Sequence, residues 1–281
     1  MVERARDVRL EDLATTAETL RERPLPAWDS MSHFADDPER ARRYLMVLDT
    51  INFSFWLPEG MPGPRPGGYT QMAERLRDVY RGGAGLEDPD SLAVIDAETL
   101  GRLLGPFPML AERAQALNEL GRHGYDGLVG ETAVDTARNF AEELVSYRDV
   151  SGYDGRQVPF LKRAQIVAAD LLGAGLAGFP DLDQLTCFAD YKLPQVLRHL
   201  GALEYSPPLA ARVDGWVELQ SGEPAEVEIR AATVVAVERL REELTHRGRR
   251  LTSVEVDWLL WHSAQEVFPM RPYHRVRGIY Y

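Results

Sequence analysis

Pro159-Phe160-Leu161-Lys162-Arg163-Ala164-Gln165-Ile166-Val167-Ala168-Ala169-Asp170-Leu171-Leu172-Gly173 is the stretch that sets the fold class. Pro159 suits the first turn of a helix, where a missing N–H leaves no bond unmade, and Phe160, Ala164, Val167 and Leu171 follow at helical steps. That spacing predicts a core helix with Lys162 and Gln165 off its apolar stripe. Gly173, Gly175, Gly178 and Pro180 then end it in a tight connection. Downstream, Leu193, Leu197 and Leu200 mark another helix with Pro194 in its first turn, so that Asp190 stands just before its N-terminus. A long helix is expected from Pro224 to about His246 and another from about Ser253, the latter marked by Val256, Leu260 and Val267.

Working upstream, Asp36-Asp37-Pro38-Glu39 places acids and a proline where a helix begins, and the helix runs through Leu48. A loop rich in Pro and Gly spans Pro58 to Gly68, and helices are expected over Thr70 to Arg81, Asp96 to Leu104, Leu110 to His123 and Thr132 to Leu144. Alternating runs of β-branched residues are almost absent. The expectation is an all-α, mainly helical chain with few or no strands.

Composition bounds the function. The 281 residues, 44% hydrophobic, suit a single globular domain or two interlocked helical subdomains with a cleft between them. With 44 acidic against 32 basic residues the net charge is −12, which repels a nucleic-acid backbone but leaves room for a small anion in a local basic pocket. One cysteine, Cys187, allows neither an intramolecular disulfide nor a cysteine-based metal site, and predicts a reducing, cytoplasmic setting. The start, Met1-Val2-Glu3-Arg4-Ala5-Arg6-Asp7, is charged where a secretion signal needs an apolar core. The stretch from Ile166 to Phe179 falls short of the ~20 apolar residues that span a bilayer, so no membrane association is expected. Walker loops, dinucleotide fingerprints, His-Glu-x-x-His helices and Gly-x-Ser-x-Gly elbows do not occur.

Four clusters remain as candidate sites. Asn52-Phe53-Ser54-Phe55-Trp56 sets three aromatics beside an amide, able to stack on a heterocycle or simply to pack a turn. Asp190 at a helix mouth is held ionised by exposed amides, as a glycosidic carboxylate needs to be, although an Asp in that position also serves as a plain cap. Lys162 and Lys192 are candidate phosphate ligands or solvated surface cations. Asp257 and Trp261 share one helical face, which suits a planar cation or the seal of a core. Tyr273, His274 and Arg275, with Arg277 and Tyr280-Tyr281, form an aromatic and basic tail able to close a pocket. His274 has no partner at metal-ligand spacing, so neither a metal nor a cofactor is expected.

The segments Ile51–Trp56, Pro159–Gln165, Phe188–Leu197, Glu226–Arg230, Asp257–Trp261 and the tail through Tyr281 resemble, in the same order, those of the queuosine salvage family of nucleotide N-glycosylases. The resemblance implies hydrolysis of queuosine 5′-phosphate to queuine and ribose 5-phosphate, and a likeness in fold to helix-hairpin-helix DNA glycosylases. It implies Asp190 as the catalytic carboxylate. Asn52, Phe53, Phe55, Trp56, Asp257 and Trp261 are then candidates around the base. Lys162, Lys192, His274 and Arg275 are candidates for the 5′-phosphate, and Tyr273 for closing the pocket. The chain departs from the DNA enzymes in lacking a Leu-Pro-Gly-Val-Gly hairpin and in its charge, and no stable nucleic-acid complex is expected. Two alternatives stay open: a base-excision enzyme acting on DNA, and a non-catalytic carrier of queuine or its nucleotide. The oligomeric state is not encoded in these patterns.

Overall fold

The computed structural model describes residues 2–56, 67–83, 85–266 and 269–281. Among these residues twelve α-helices dominate, with four short strands. The expected loop from Pro58 lies outside the described residues as far as residue 66, as does Val267, which was expected to mark the last helix.

The first helices obey their caps. Helix α1 (Ala14–Arg21) packs against the long helix α11 (Pro224–His246), and α2 (Pro38–Thr50) starts where Asp37 accepts the Arg40 amide at 2.9 Å with Pro38 in the first turn. Helices α3 (Gly68–Arg81), α5 (Ala97–Leu104), α6 (Leu110–His123) and α7 (Ala133–Glu143) fall within a residue or two of their expected spans. Asp96 and Thr132 cap α5 and α7. Helix α4 (Pro89–Val94) was not expected from periodicity; Asp88 caps it, accepting the Ser91 amide at 3.1 Å.

Helix α4 lies against α6 so closely that Gly121 has no room for a side chain: a Cβ there would meet the backbone of Pro89, Leu92 and Ala93. Gly121→Ala is therefore expected to destabilise the protein by about 1–3 kcal/mol, because only backbone could move aside. Urea denaturation checks this, and a variant as stable as the wild type would contradict the packing.

The decisive stretch differs from its expectation at its start. Pro159 does not open a helix but ends a strand, β3 (Arg156–Pro159), paired antiparallel with β2 (Val150–Tyr153) in the register Val150↔Pro159 and Tyr153↔Arg156. The connection is Asp154-Gly155, with φ of 49° and 72°, which matches the twist of a two-residue hairpin. Helix α8 (Lys162–Gly173) begins two residues after the strand, behind Leu161 in the left-handed region at φ 48°. The amides of Phe160 and Leu161 both donate to the Asp149 carbonyl, at 3.0 and 3.2 Å, and hold that corner. Strand β1 (Val8–Leu10) pairs with β4 (Leu203–Tyr205), fixing the N-terminal arm to the second half of the chain.

Helices α9 (Lys192–His199), α10 (Pro207–Asp214), α11 (Pro224–His246) and α12 (Ser253–Glu266) complete the fold. Two large groups of buried apolar side chains result, with a third, small one of Phe160, Ala189, Val227 and Ala231. One is built by α2 to α8, around Tyr44, Leu48, Leu76, Leu117, Phe140 and Val167. The other is built by α1, β1, β4 and α9 to α12, around Leu20, Leu197, Val237, Leu240 and Leu260. None of the described helices is long and apolar enough to cross a membrane.

Candidate active site

Where the two large apolar groups meet, a cavity of about 680 Å³ opens between α8, the start of α9, the middle of α12 and the loop 26–33. Its size is in the range of small-molecule sites, and its walls are aromatic with a few convergent polar groups.

Asp190 lines this cavity. Its Oδ1 accepts the amides of Lys192 (2.8 Å) and Leu193 (2.9 Å) in the first turn of α9, while its own amide donates to the Phe188 carbonyl at 2.6 Å. The cap thus orients the carboxylate, and no donor among the described residues occupies Oδ2. Burial pushes Asp190 above the usual carboxylate range, and the Lys162 cation with the Leu193 and Lys192 amides works against that shift.

Lys162 is 5% exposed, and its Nζ donates to the Asn52 carbonyl at 3.3 Å. Burial pushes its ammonium down to about 8, with the Asp190 charge opposing. The two charges therefore support each other across the cavity without a direct ion pair. Lys192 faces the same space, donates to Gln195 Oε1 at 3.2 Å and lies 5.3 Å from the centre of the Tyr273 ring. Among the described residues no group of three His, Cys, Asp or Glu is arranged to hold a metal ion.

Asp257, on α12, is buried, and its Oδ2 accepts the Phe188 amide at 2.7 Å, tying α12 to the segment that carries Asp190. Burial, then the Asp190 charge, holds it well above the usual range. Asn52 and Phe55 line the cavity, Asn52 donating to Asp49 Oδ1 at 3.4 Å. Trp261 lines it too, edge-on to Tyr69 at 6.2 Å between ring centres. A chain of polar contacts braces that wall. His33 Nδ1 is 2.6 Å from the Asp29 carbonyl, which can only accept, so Nδ1 carries the hydrogen and Nε2 accepts the Tyr69 hydroxyl at 2.8 Å. Burial lowers the His33 pKa, consistent with this neutral form.

The other expected residues stand elsewhere. Phe53 is fully buried behind the wall, its ring centre 4.5 Å from the Arg113 guanidinium and 5.1 Å from that of Arg163. Trp56 is a packing residue whose indole donates to the Val276 carbonyl at 3.3 Å. Tyr273 lies behind Tyr191, with ring centres 4.8 Å apart, and it is Tyr191 that reaches the cavity. His274 is buried with Nε2 3.3 Å from the Tyr281 hydroxyl, and burial with the nearby Arg230 charge drives its pKa to about 3. A neutral, enclosed imidazole is not a phosphate ligand. Arg275 stacks at 4.0 Å over Trp216, away from the cavity. The tail thus contributes packing, and only Tyr281 of it reaches the cavity lining.

Sequence reasoning missed Trp28, His33, Tyr69 and Asp170, all of which line the cavity. Trp28 and His33 come from a segment without periodicity, where an aromatic and a histidine inside a short polar stretch were the available signal.

A family model described as queuosine salvage protein matches residues 32–281. The chain belongs to that family. It is 41% identical to a Sphaerobacter thermophilus protein named queuosine 5′-phosphate N-glycosylase/hydrolase, over 91% of this chain and 86% of the relative. Relatives of the same name from Dictyostelium discoideum and Bos taurus are 35% and 32% identical, each covering 86% of this chain and 79% and 82% of their own. The family segments noted above converge in the structure: those of α8, α9 and α12 supply Lys162, Asp190 with Lys192, and Asp257 with Trp261 to one cavity.

Proposed function

We propose that this protein hydrolyses the N-glycosidic bond of queuosine 5′-phosphate, releasing queuine and ribose 5-phosphate. The observation that carries the reading is a capped carboxylate, Asp190, with one oxygen free, set among aromatic rings and two lysines in a cavity of nucleotide dimensions. The names of the relatives point to the same reaction.

A 7-deazaguanine has carbon in place of N7, so protonation there cannot help the base depart. The burden shifts to the ribose side. Asp190 Oδ2 faces the anomeric carbon, where it stabilises the developing positive charge and serves as nucleophile or as base to water. Overall the C1′–N9 electron pair leaves with the base, water supplies hydroxyl to C1′, and its remaining proton ends on N9. Lys162 and Lys192 receive the phosphate, Phe55 or Trp261 stacks on the ring, and Asn52 and Asp257 meet its polar edge. No step in this scheme is assigned to a metal or cofactor.

The same reading takes the architecture to be like that of helix-hairpin-helix DNA glycosylases, supported by an Asp at a helix mouth in a mainly helical chain. It takes the protein to be one cytosolic domain whose two large apolar groups flank the cleft, in keeping with its single, buried Cys187. The formal charge of −12 favours a free nucleotide over DNA or tRNA as partner. Incubation with queuosine 5′-phosphate, followed by chromatography, is expected to show free queuine; intact substrate after prolonged incubation would end the proposal.

A further inference from the structure

Helix α8 lines the cavity along a stripe that includes Lys162, Ile166, Asp170 and Gly173. At ~1.5 Å of rise per residue, Asp170 stands about 12 Å along the helix from Lys162, at the end opposite the lysine. Trp28 and Trp258 pack against Gly173 one turn further on; a Cβ at Gly173 would sit 3.0 Å from the Trp28 ring and 3.6 Å from that of Trp258.

Asp170 is 6% exposed, faces the cavity and, among the described residues, receives neither a hydrogen bond nor an ion pair. Helix α2, which packs against α8, carries Asp49, whose Oδ2 is also without a partner, and α12 carries Asp257, a further carboxyl of the cavity lining. Burial, then the charges of Asp49 and Asp257, holds Asp170 well above the usual carboxylate range. A buried carboxyl that served the fold would be bonded to it, since leaving one unsatisfied is costly. Acids crowded in this way, with π-faces close by, form a receptor for a cation.

We propose that Asp170 is the specificity residue for the cationic side arm of the substrate, pairing with the secondary ammonium that queuine carries. This rests on the substrate reading above. Asp257, already engaged with the Phe188 amide through Oδ2, is left for the donor edge of the base. The ammonium then forms an ion pair with Asp170 beside the Trp28 and Trp258 rings that pack against Gly173.

The test compares queuosine 5′-phosphate with the ribotide of plain 7-deazaguanine, which has no arm. Asp170→Asn is expected to reduce the preference in kcat/KM for the armed substrate about 10- to 100-fold, the weight of one charge-assisted hydrogen bond. Asp170→Ala should lose the same preference, and both variants should melt no lower than a few degrees below the wild type, because the acid makes no bond to the fold. A preference unchanged from the wild type overturns the assignment. So does an equal loss on both substrates, which would place Asp170 at the base itself. Calorimetric binding of queuine and of 7-deazaguanine to the same proteins asks the question without turnover. A wild type that prefers queuine through Asp170 yet releases none from its nucleotide would sink the proposed reaction and leave this inference standing.

Discussion

Asp190→Asn is expected to lower kcat for queuine release by about 10²–10⁴-fold, the usual weight of a positioned acid or base, with little change in folding and with KM changed only as pH rises. The substitution isolates charge from shape. An asparagine oxygen can still accept the Lys192 and Leu193 amides that Asp190 Oδ1 accepts at 2.8 and 2.9 Å, and Asn caps helices as well as Asp does. What disappears is the negative charge offered to the anomeric carbon. Lys162 also loses the charge that supports its ammonium, so its pKa, already near 8, moves lower and phosphate binding weakens as pH rises towards 8. Single-turnover assays with queuosine 5′-phosphate, together with circular dichroism melts, measure both halves. A rate equal to the wild type would remove Asp190 from the chemistry, while a collapsed melt would mean that the carboxylate serves the fold as well.

Much of the scaffold was legible in the order of residues because caps and periodicity are local. Asp37-Pro38, Asp96 and Thr132 start their helices through contacts within three or four residues, and α11 runs from Pro224 to His246 as its apolar spacing predicts. The corner before Lys162 was misread because Pro159 suits a helix start and a strand end alike, and the partner that decides, Val150, lies nine residues away. Asp154-Gly155 was the unused hairpin signal. In the cavity, Asp190, Lys162 and Asp257 were found because each sits at a recognisable helix position. His274 and Arg275 were misplaced for the opposite reason: composition shows that a tail is basic but not which way its side chains turn. Asp170 was missed because nothing local shows that one face of α8 borders a cavity.

Arg230→Met is expected to cost about 3–5 kcal/mol of stability, because it strands a buried carboxylate, and to impair turnover beyond that loss. Arg230 is 1% exposed and donates to both oxygens of Asp149, at 2.8 and 2.6 Å, with Phe160 stacked 4.0 Å from its guanidinium. The pair does more than neutralise itself. Asp149 Oδ2 accepts the Lys162 amide at 3.1 Å, and Arg230 Nε donates to the Ala189 carbonyl at 3.0 Å, so one ion pair joins the start of α8 to the residue before Asp190. Lysine could not replace it, since a single ammonium lacks the fork that spans a carboxylate and a carbonyl together. Converting Asp149 to Asn in the Arg230→Met background removes one of the two buried charges that Arg230 faces while keeping an acceptor for the Lys162 amide; the other, Glu226, 3.9 Å from Arg230 Nη1, keeps its bond from the Tyr281 hydroxyl. The double variant should therefore regain a good part of the stability but not the rate, because nothing then ties Ala189 to Lys162. Urea unfolding and kcat, measured on the single and double variants, separate the two effects. If kcat returns together with stability, the pair only holds the core, and the spacing of Asp190 from Lys162 must be set by the caps of their own helices.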